Sequence, residues 1–467
     1  MKKKIVILGG GPCGLTAAWE LAKNGADVTV VEREPSVGGL CKTTREKGYQ
    51  FDLGGHRFIS KDDSLVRDVQ ELMKGRLIAR TRKSVITMDG REIEYPIHWQ
   101  NIFTNYSFKK NMNFFVGYIL SNVGFSNSKA PSGSFEKWVD KKFGAPLNQV
   151  FFKPYTEKLW GIKASELSDD WAAQRITLLS AMDLVLRATG LKKTPARGYA
   201  KTFLYPLGGI GEIFETMAAE IERLGGKVLT SSEPREFEIE DSQISGLKVV
   251  QKESEERTLK ANTYLSTIPL NSLMPLLGVP SFSKLKYRSL RFLNIKLKRE
   301  DFSDNTWMYV PGARFKMTRI QEPKRRSPES APPGKTSLIL EIPCNKGDLT
   351  WNMEEAALLK IALHDMKSLG FSISAEEVEG CFSTWEEHAY PCYQLGYKEK
   401  VRAILDNVSG FANLSTLGRQ GLFRYIFMDT AMLMGREWAR AFLLKAENRH
   451  IMEMDNAQVL LEGQSVV

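Results

Sequence analysis

The chain has 467 residues, 42% of them hydrophobic and 26% charged, and a formal net charge of +10. This length allows two domains with large cores, and the composition is that of an ordinary soluble protein. No apolar stretch is long enough for a membrane span, and Ile5–Leu8, after the N-terminal lysines, is too short for a signal peptide. Five cysteines without paired metal-ligand spacing argue against a disulfide framework and for the cytoplasm.

The chain opens on a pattern that is typical of a βαβ unit. Residues 4–8 predict a buried parallel strand, residues 15–24 a helix, and residues 27–32 a second strand. The sequence therefore predicts an α/β fold that begins with a Rossmann-type nucleotide-binding unit.

A glycine-rich turn, Gly9-Gly-Gly11-Pro-Cys-Gly14, joins the first strand to the helix. Gly9 allows the tight turn, Gly11 lets the backbone approach a pyrophosphate, and Gly14 lets helix and strand pack closely. The free N–H groups at the helix start favour an anion. Glu32 ends the second strand, where a carboxylate binds ribose hydroxyls and repels a 2′-phosphate. This pattern predicts a dinucleotide site rather than a glycine turn without a ligand.

The pattern changes further along the chain. Residues 64–200 are rich in aromatic residues and lysine at helical spacing, residues 205–250 return to the pattern of the first domain, and residues 285–345 alternate apolar and polar side chains as strands do. The sequence therefore predicts a discontinuous nucleotide-binding domain with two inserted regions. The predicted bounds are 1–75, 200–265 and 380–467 for the nucleotide-binding domain, 76–199 for a helical substrate region, and 266–379 for a sheet substrate region.

Two segments carry a resemblance to a known family. Glu32-Arg-Glu-Pro-Ser-Val-Gly38-Gly-Leu resembles the pyrophosphate loop of the superfamily that contains FAD-dependent amine oxidases, protoporphyrinogen oxidases and UDP-galactopyranose mutases. The later segment 418–429, Gly-Arg-Gln-Gly-Leu-Phe-Arg-Tyr-Ile-Phe-Met-Asp, is similar to the C-terminal flavin motif of the mutases. The resemblance implies a Rossmann-type FAD-binding domain interleaved with helical and antiparallel-sheet substrate regions. The FAD contacts that it implies come from Gly9, Gly11, Pro12, Cys13, Gly14, Glu32, Arg33, Gly38, Gly39, Leu40, Gly55, His56, Gly418, Arg419, Met428 and Asp429.

The segments that would face a substrate are also similar to those of the mutases. His56 follows a glycine pair, where the histidine of the family stacks near the flavin and responds to its redox state. Arg175 follows Trp171 by four residues and Arg319 follows Tyr309 by ten, as in the family. Guanidinium groups form bidentate bonds to phosphate, and tyrosine hydroxyls add directional donors. The resemblance implies His56, Arg175 and Arg319 as catalytic residues and a substrate site formed by Tyr155, Trp160, Arg175, Tyr309, Arg319, Tyr390 and Tyr425.

The activity that the resemblance implies is that of an isomerase. A flavin-dependent mutase of this kind interconverts the pyranose and furanose forms of a nucleoside-diphosphate sugar, with N5 of the reduced flavin as the nucleophile at the anomeric carbon. NADPH or NADH is then the expected reductant. No nucleic-acid partner and no membrane span are expected, and an oligomer is compatible with the sequence.

Two other function classes stay open at this point. One is an FAD-dependent oxidase, desaturase or dehydrogenase of the amine oxidase or protoporphyrinogen oxidase type, whose substrate tunnel would be apolar. The other is a flavoprotein that binds a nucleotide sugar without catalysis. The positive net charge of the chain and the paired arginines favour the mutase over the oxidase.

Two further segments bear on the choice of substrate. Phe427 stands where the mutases carry an acid or an amide, and the uridine-binding region has no match residue by residue, so neither the nucleotide nor the sugar is predicted. The basic run Lys324-Arg325-Arg326 is predicted to be a solvated surface rather than a nucleotide contact.

Overall fold

The structure is a computed structural model and describes eight ranges of the chain. They are residues 3–88, 91–94, 107–124, 128–175, 202–251, 256–279, 281–446 and 449–454.

The described residues form an α/β fold. The strands are β1 (Lys4–Leu8), β2 (Asp27–Val31), β3 (Thr43–Glu46), β4 (Tyr49–Asp52), β5 (Leu77–Thr81), β6 (Ser84–Met88), β7 (Arg91–Glu94), β8 (Thr202–Pro206), β9 (Lys227–Leu229), β10 (Ser232–Glu240), β11 (Gln243–Gln251), β12 (Glu256–Leu259), β13 (Thr263–Ser266), β14 (Tyr287–Leu297), β15 (Trp307–Tyr309), β16 (Arg319–Gln321), β17 (Thr336–Cys344), β18 (Val378–Pro391) and β19 (Leu414–Thr416). The helices are α1 (Pro12–Lys23), α2 (Asp63–Met73), α3 (Phe108–Asn122), α4 (Phe135–Phe143), α5 (Ala145–Leu147), α6 (Lys153–Trp160), α7 (Asp170–Arg175), α8 (Glu212–Arg223), α9 (Leu270–Leu276), α10 (Leu349–Asn352), α11 (Glu355–Ser368), α12 (Tyr397–Ser409), α13 (Gly418–Gly421), α14 (Met428–Leu444) and α15 (Arg449–Glu453).

The nucleotide-binding domain is built on a five-stranded parallel sheet with the order β19-β13-β1-β2-β9. Its central strand β1 pairs with β2 on one side and with β13 on the other. Residues of β1 from Ile5 to Leu8 are buried, because α1, α8 and α14 cover one face of the sheet, and α9 with strands β10 and β11 covers the other. The predicted βαβ unit is therefore confirmed.

Helices α1 and α14 pack closely against each other beside this sheet. The contact is possible because Gly435 has no side chain, since a Cβ atom there would lie 2.1 Å from the carbonyl oxygen of Cys13. The first and last parts of the described chain thus share one core, which also includes α8.

A seven-stranded sheet with the order β18-β14-β17-β16-β15-β6-β7 forms the second layer of the fold. Its pairs are antiparallel except for β15 with β6, which are parallel. Strand β14 is buried along nearly its whole length and pairs with β17 and β18. The antiparallel sheet region that the sequence predicts is therefore present.

The predicted helical region contains strands as well as helices. Strands β6 and β7, at residues 84–94, join the seven-stranded sheet, and β5 forms a two-stranded sheet with β8. The predicted boundary at residue 380 lies inside β18, so that strand continues from the predicted sheet region into the predicted nucleotide domain. Residues 176–201 lie outside the described residues.

Within the described ranges, no helix combines the length and the apolar character that a bilayer crossing requires.

Candidate active site

The glycine-rich turn has the geometry that the sequence predicts. Gly9 has a φ of +101°, in the left-handed region that favours glycine. A Cβ atom on Gly14 would lie 2.1 Å from the carbonyl oxygen of Gly9, so a side chain there would push α1 away from the strand. A Cβ atom on Gly11 would meet nothing within 4 Å. The start of α1 is therefore open at Gly11, on the side from which a pyrophosphate would approach.

Glu32 lies beside this turn. Its carboxylate accepts hydrogen bonds from the backbone N–H groups of Gly10, at 2.7 Å, and Glu34, at 2.8 Å. These bonds hold the carboxylate at the end of β2, where the dinucleotide pattern requires it. Arg33 points to the surface instead, with 61% of its side chain exposed and an ion pair to Glu34.

The second predicted flavin segment meets the first one directly. Gly418 has a φ of +80°, and a Cβ atom on it would lie 3.0 Å from Cβ of Cys13. Glycine at this position therefore brings α13 onto the start of α1. Residues more than 400 positions apart are thus in contact, and their joint role in binding a flavin stays a prediction.

Met428 and Asp429 form the first turn of α14 and are both buried. Burial raises the pKa of Asp429 to about 6, and a hydrogen bond with Ser60 opposes that effect. The start of α14 therefore shares a core with Cys13 of the glycine turn, and the carboxylate of Asp429 accepts hydrogen bonds from the backbone N–H groups of Asp429 and Thr430.

His56 is held in the loop that follows β4. Its Nε2 lies 2.9 Å from the carbonyl oxygen of Leu53, so this nitrogen carries the proton, and its Nδ1 lies 3.8 Å from Sγ of Cys41. Burial lowers the pKa of His56 to about 4, and the positive charges of Arg419 and Arg326 contribute in the same direction. The imidazole is therefore neutral at neutral pH, and its response to flavin charge stays a prediction.

Arg319 lies directly against this loop. A Cβ atom on Gly55 would lie 2.8 Å from its Nη1. The same Nη1 lies 3.4 Å from Oε1 of Glu341, a carboxylate with 3% of its side chain exposed. Burial acts to lower the pKa of Arg319, but Glu341 and the neighbouring tyrosines together outweigh it, so the pKa lies well above its usual value. The Nε of Arg319 is buried without a protein hydrogen bond.

The predicted substrate tyrosines surround this arginine. The guanidinium of Arg319 lies 5.3 Å from the ring centroid of Tyr309. Tyr155 and Tyr390 also lie within electrostatic range of Arg319. Burial is the main reason why the pKa of Tyr390 is raised to about 12 and that of Tyr155 lies above its ordinary range. Both hydroxyls therefore stay protonated donors at neutral pH.

A second arginine extends the same cluster. The guanidinium carbon of Arg419 lies 4.3 Å from the ring centroid of Tyr425 and 5.4 Å from that of Tyr390. Two carbonyl groups, those of Ala389 and Ile426, accept hydrogen bonds from it. The arginine that the resemblance places by the flavin therefore also contacts two of the predicted substrate residues.

The tryptophans close one side of the cluster. Trp160 is fully buried, with its ring centroid 4.7 Å from that of Trp171 and 5.8 Å from that of Tyr390. Trp171 in turn lies 5.3 Å from Tyr425. Arg175 ends α7 five residues after the start of that helix at Asp170, but its side chain lies outside the described part of the chain. The structure thus brings together all the other predicted substrate residues.

Sequence reasoning missed Glu341 and its surroundings. This carboxylate accepts hydrogen bonds from Nε2 of Gln321 at 2.6 Å and from the backbone N–H of Gly55 at 3.2 Å. The signal that could have revealed it is a single carboxylate inside the apolar strand β17, since a buried charge requires a partner.

The basic run at 324–326 is not the solvated surface that was predicted. Arg326 is fully buried and donates to Oε1 of Gln321 at 2.7 Å, because the 3₁₀ turn Pro323–Arg325 directs the chain inward. Lys324 and Arg325 form ion pairs with Glu300 and Asp301. The prediction was wrong for Arg326, which lies behind the loop of His56.

The residues around the glycine turn fit a dinucleotide cofactor. The space at Gly11, the carboxylate of Glu32, and the starts of α1 and α14 match the pyrophosphate and ribose of such a ligand. The Nε of Arg419 is buried and lacks a protein acceptor, so it is available to a bound group. Among the residues that the structure describes, no cluster of His, Cys, Asp or Glu is placed to hold a metal ion.

Comparison with known proteins shows what the chain resembles. The family described as flavin containing amine oxidoreductase matches residues 12–413. A probable UDP-galactopyranose mutase from Klebsiella pneumoniae is 23% identical over 458 residues, covering 96% of this chain and 97% of the relative. Coproporphyrinogen III oxidase from Bacillus subtilis (strain 168) is 21% identical over 440 residues, covering 86% of this chain and 90% of the relative.

Solved structures give the same picture at the level of the fold. A crystal structure of reduced UDP-galactopyranose mutase aligns with a TM-score of 0.83 and 20% identity, over 99% of this chain and 100% of that chain. A putative protoporphyrinogen oxidase from Exiguobacterium sp. 255-15 aligns with a TM-score of 0.70 and 16% identity, over 95% of this chain and 99% of that chain. The predicted fold class and the resemblance to mutase-like flavoproteins are confirmed. With the family match spanning most of its length, the chain belongs to the flavin containing amine oxidoreductases.

Proposed function

We propose that this flavoprotein is a mutase that interconverts the pyranose and furanose forms of a nucleoside-diphosphate sugar. The observation that carries the proposal is the cluster around Arg319, in which a largely buried guanidinium lies against Tyr309 and near the protonated Tyr155 and Tyr390, beside the loop of His56. FAD is the proposed flavin, and NADPH or NADH the proposed reductant. The cytoplasm is the proposed location.

The charges of the cluster suit a diphosphate. Arg319 and Arg419 contribute two guanidinium groups, and Glu341 offsets part of the charge of Arg319. A guanidinium that is fixed on one edge and free on another can form charge-assisted hydrogen bonds to a phosphate oxygen. The buried Nε of Arg319 is such a free edge.

The tyrosines suit the same ligand. Tyr155, Tyr309 and Tyr390 lie around Arg319, and Tyr425 stacks on Tyr390 with ring centroids 5.9 Å apart. The phenols of Tyr155 and Tyr390, whose pKa values are raised by burial, remain donors, so they can bind phosphate oxygens while the sugar is detached from the diphosphate. A bound reduced flavin would supply the nucleophile for that detachment.

The mutase-like relative and the mutase structure are consistent with this proposal, whereas the coproporphyrinogen oxidase relative keeps an oxidase as the second candidate. An oxidase of an apolar substrate has no use for a buried arginine among tyrosines. That polar cluster is therefore our reason to place the mutase first.

The test is to incubate protein reduced with dithionite with UDP-, GDP- and dTDP-sugars and to search for furanose products by chromatography. The expected result is turnover by the reduced protein, with the oxidised protein as the matched control. Consumption of oxygen with an amine or a porphyrinogen, without any furanose product, would instead establish the oxidase.

A further inference from the structure

Lys158 lies on the short helix α6, between two residues of the proposed substrate site. Tyr155 precedes it by one turn, and Trp160 follows two residues later. The proposed chemistry gives this lysine no task. Its contacts show what it does in the fold.

The ammonium group of Lys158 is bonded to three backbone carbonyl groups. Nζ donates to the carbonyl oxygens of Met317 at 2.6 Å, Val310 at 2.9 Å and Gly312 at 3.0 Å. A lysine ammonium has three N–H donors, so all of them are used. The three acceptors lie in the turn that connects β15 to β16.

This turn carries two residues of the proposed site at its ends. Tyr309 is the last residue of β15, and Arg319 is the first residue of β16. The two strands are only three residues long, so the positions of Tyr309 and Arg319 depend strongly on the turn that connects the strands. Lys158 therefore connects the helix of Tyr155 to the hairpin of Tyr309 and Arg319.

Lys158 is also unusual in its charge environment. Among the described residues, no carboxylate lies within ion-pair distance of its Nζ. The carboxylate whose charge acts on Lys158 is that of Asp365, which accepts a hydrogen bond from the backbone N–H of Lys316 in the same turn. Burial lowers the pKa of Lys158 to about 7. The carbonyl dipoles are thus its direct partners, and these bonds would be lost if the side chain were apolar.

The helix end is fixed independently of the hairpin. Arg288, on β14, donates to the carbonyl oxygen of Leu159 at 2.9 Å and packs against Gly161. Removal of the Lys158 ammonium should therefore leave Trp160 in place and release the hairpin.

We propose that Lys158 is a positioning residue that locks the β15–β16 hairpin to α6 and so sets Arg319 and Tyr309 at the correct distance from Tyr155 for the diphosphate. This role rests on the proposed function for its ligand. The mechanical part of the proposal concerns only the contacts of the protein itself. Lys158 acts through the hairpin and not by contact with the substrate.

The test compares the flavin-loaded variants Lys158→Met and Lys163→Met with the unmodified protein. Methionine keeps the length of the side chain without its donors, and Lys163 is an exposed lysine five residues away. The first measurement is hydrogen exchange of the backbone amides at residues 310–319. We expect at least tenfold faster exchange in Lys158→Met, unchanged exchange in Lys163→Met, and the same flavin content in both.

The second measurement is the dissociation constant for UDP, followed through the flavin absorbance. A misplacement of about 1 Å in a positioned group can cost on the order of 100-fold, so we expect a 10- to 100-fold weaker constant in Lys158→Met. In an Arg319→Ala background the same substitution should have a clearly smaller effect, because Lys158 acts through Arg319 as well as through Tyr309.

The outcomes separate this inference from the proposed function. If UDP does not bind the unmodified protein while the hairpin still loosens in Lys158→Met, the ligand class is wrong and the mechanical role stands. Unchanged exchange at residues 310–319 in Lys158→Met would overturn the positioning role, whatever UDP does. A full effect of Lys158→Met in the Arg319→Ala background would overturn it as well.

Discussion

The pair of Arg319 and Glu341 allows the contribution of this site to ligand binding to be separated from its contribution to stability. Arg319→Ala removes the only guanidinium at ion-pair distance from Glu341 among the described residues. The carboxylate, with 3% of its side chain exposed, then keeps two neutral donors, Gln321 and the N–H of Gly55. Breaking a buried ion pair costs about 3–5 kcal/mol.

The two remaining donors put the expected loss at the lower end of that range. We expect Arg319→Ala to lower the free energy of unfolding by about 3 kcal/mol, which corresponds to a fall in melting temperature of roughly 3 °C for a chain of this length. The double variant Arg319→Ala with Glu341→Gln removes the uncompensated charge, so its stability should return to within about 1 kcal/mol of the unmodified protein.

In the double variant, we expect stability to be restored but ligand binding to remain weak. The loss of charge-assisted bonds to a phosphate weakens binding by about 3 kcal/mol, or on the order of 100-fold in the dissociation constant for UDP. Melting curves of the flavin-loaded protein and flavin difference spectra measure the two quantities. The matched control is Arg314→Ala, which changes an exposed arginine in the turn of the same hairpin.

Two results would refute this reasoning. An unchanged melting temperature in Arg319→Ala would show that the pair does not stabilise the fold. A double variant that binds UDP as tightly as the unmodified protein would remove Arg319 from the proposed site.

The other predictions concern the flavin-binding part of the site. Gly14→Ala should reduce both flavin content and melting temperature, because its Cβ would lie 2.1 Å from the carbonyl oxygen of Gly9. Gly11→Ala should reduce flavin content alone, because its Cβ meets no protein atom within 4 Å. Equal losses of melting temperature in the two variants would contradict this. Because burial raises the pKa of Asp429 to about 6, folded protein binds more protons than unfolded protein between about pH 4 and 6 and loses stability as the pH rises through that window. In flavin-free protein, Asp429→Asn should make the decrease in unfolding free energy from pH 4.5 to pH 7.5 smaller by about 2 kcal/mol. Urea unfolding of the variant and of the unmodified protein at both pH values measures this difference. Burial lowers the pKa of His56 to about 4, so its imidazole should be neutral at pH 6, with the proton on Nε2. Nitrogen NMR measures this, and His56→Asn serves to assign the signal. A charged ring at pH 6 would contradict the prediction.

The glycine turn could be predicted from sequence because its requirements are local. Gly9 and Gly14 are fixed by backbone geometry within a few residues of each other. The convergence of Gly418 on Cys13 is not local, and it was predicted only through the resemblance to a family.

The partners of Glu341 and Lys158 could not be predicted, since they depend on contacts between distant segments. Gly55 is 286 residues from Glu341, and Gly312 is 154 residues from Lys158. No periodic pattern encodes such pairs. Arg326 was misassigned for the same reason, because a basic run in a proline-rich stretch gives no sign of the inward turn that buries one of its members.

The close packing of Gly435 on Cys13 also bears on the order of folding during synthesis. The βαβ unit leaves the ribosome long before the helix that covers α1, because that helix begins only at residue 428. Strand β1 likewise waits for β13, some 260 residues later. Contacts of such long range form slowly, and the early segment exposes apolar surface until they do. A nascent chain that stops before α14 should therefore bind no flavin and depend on chaperones, so flavin uptake reports that synthesis has passed α14.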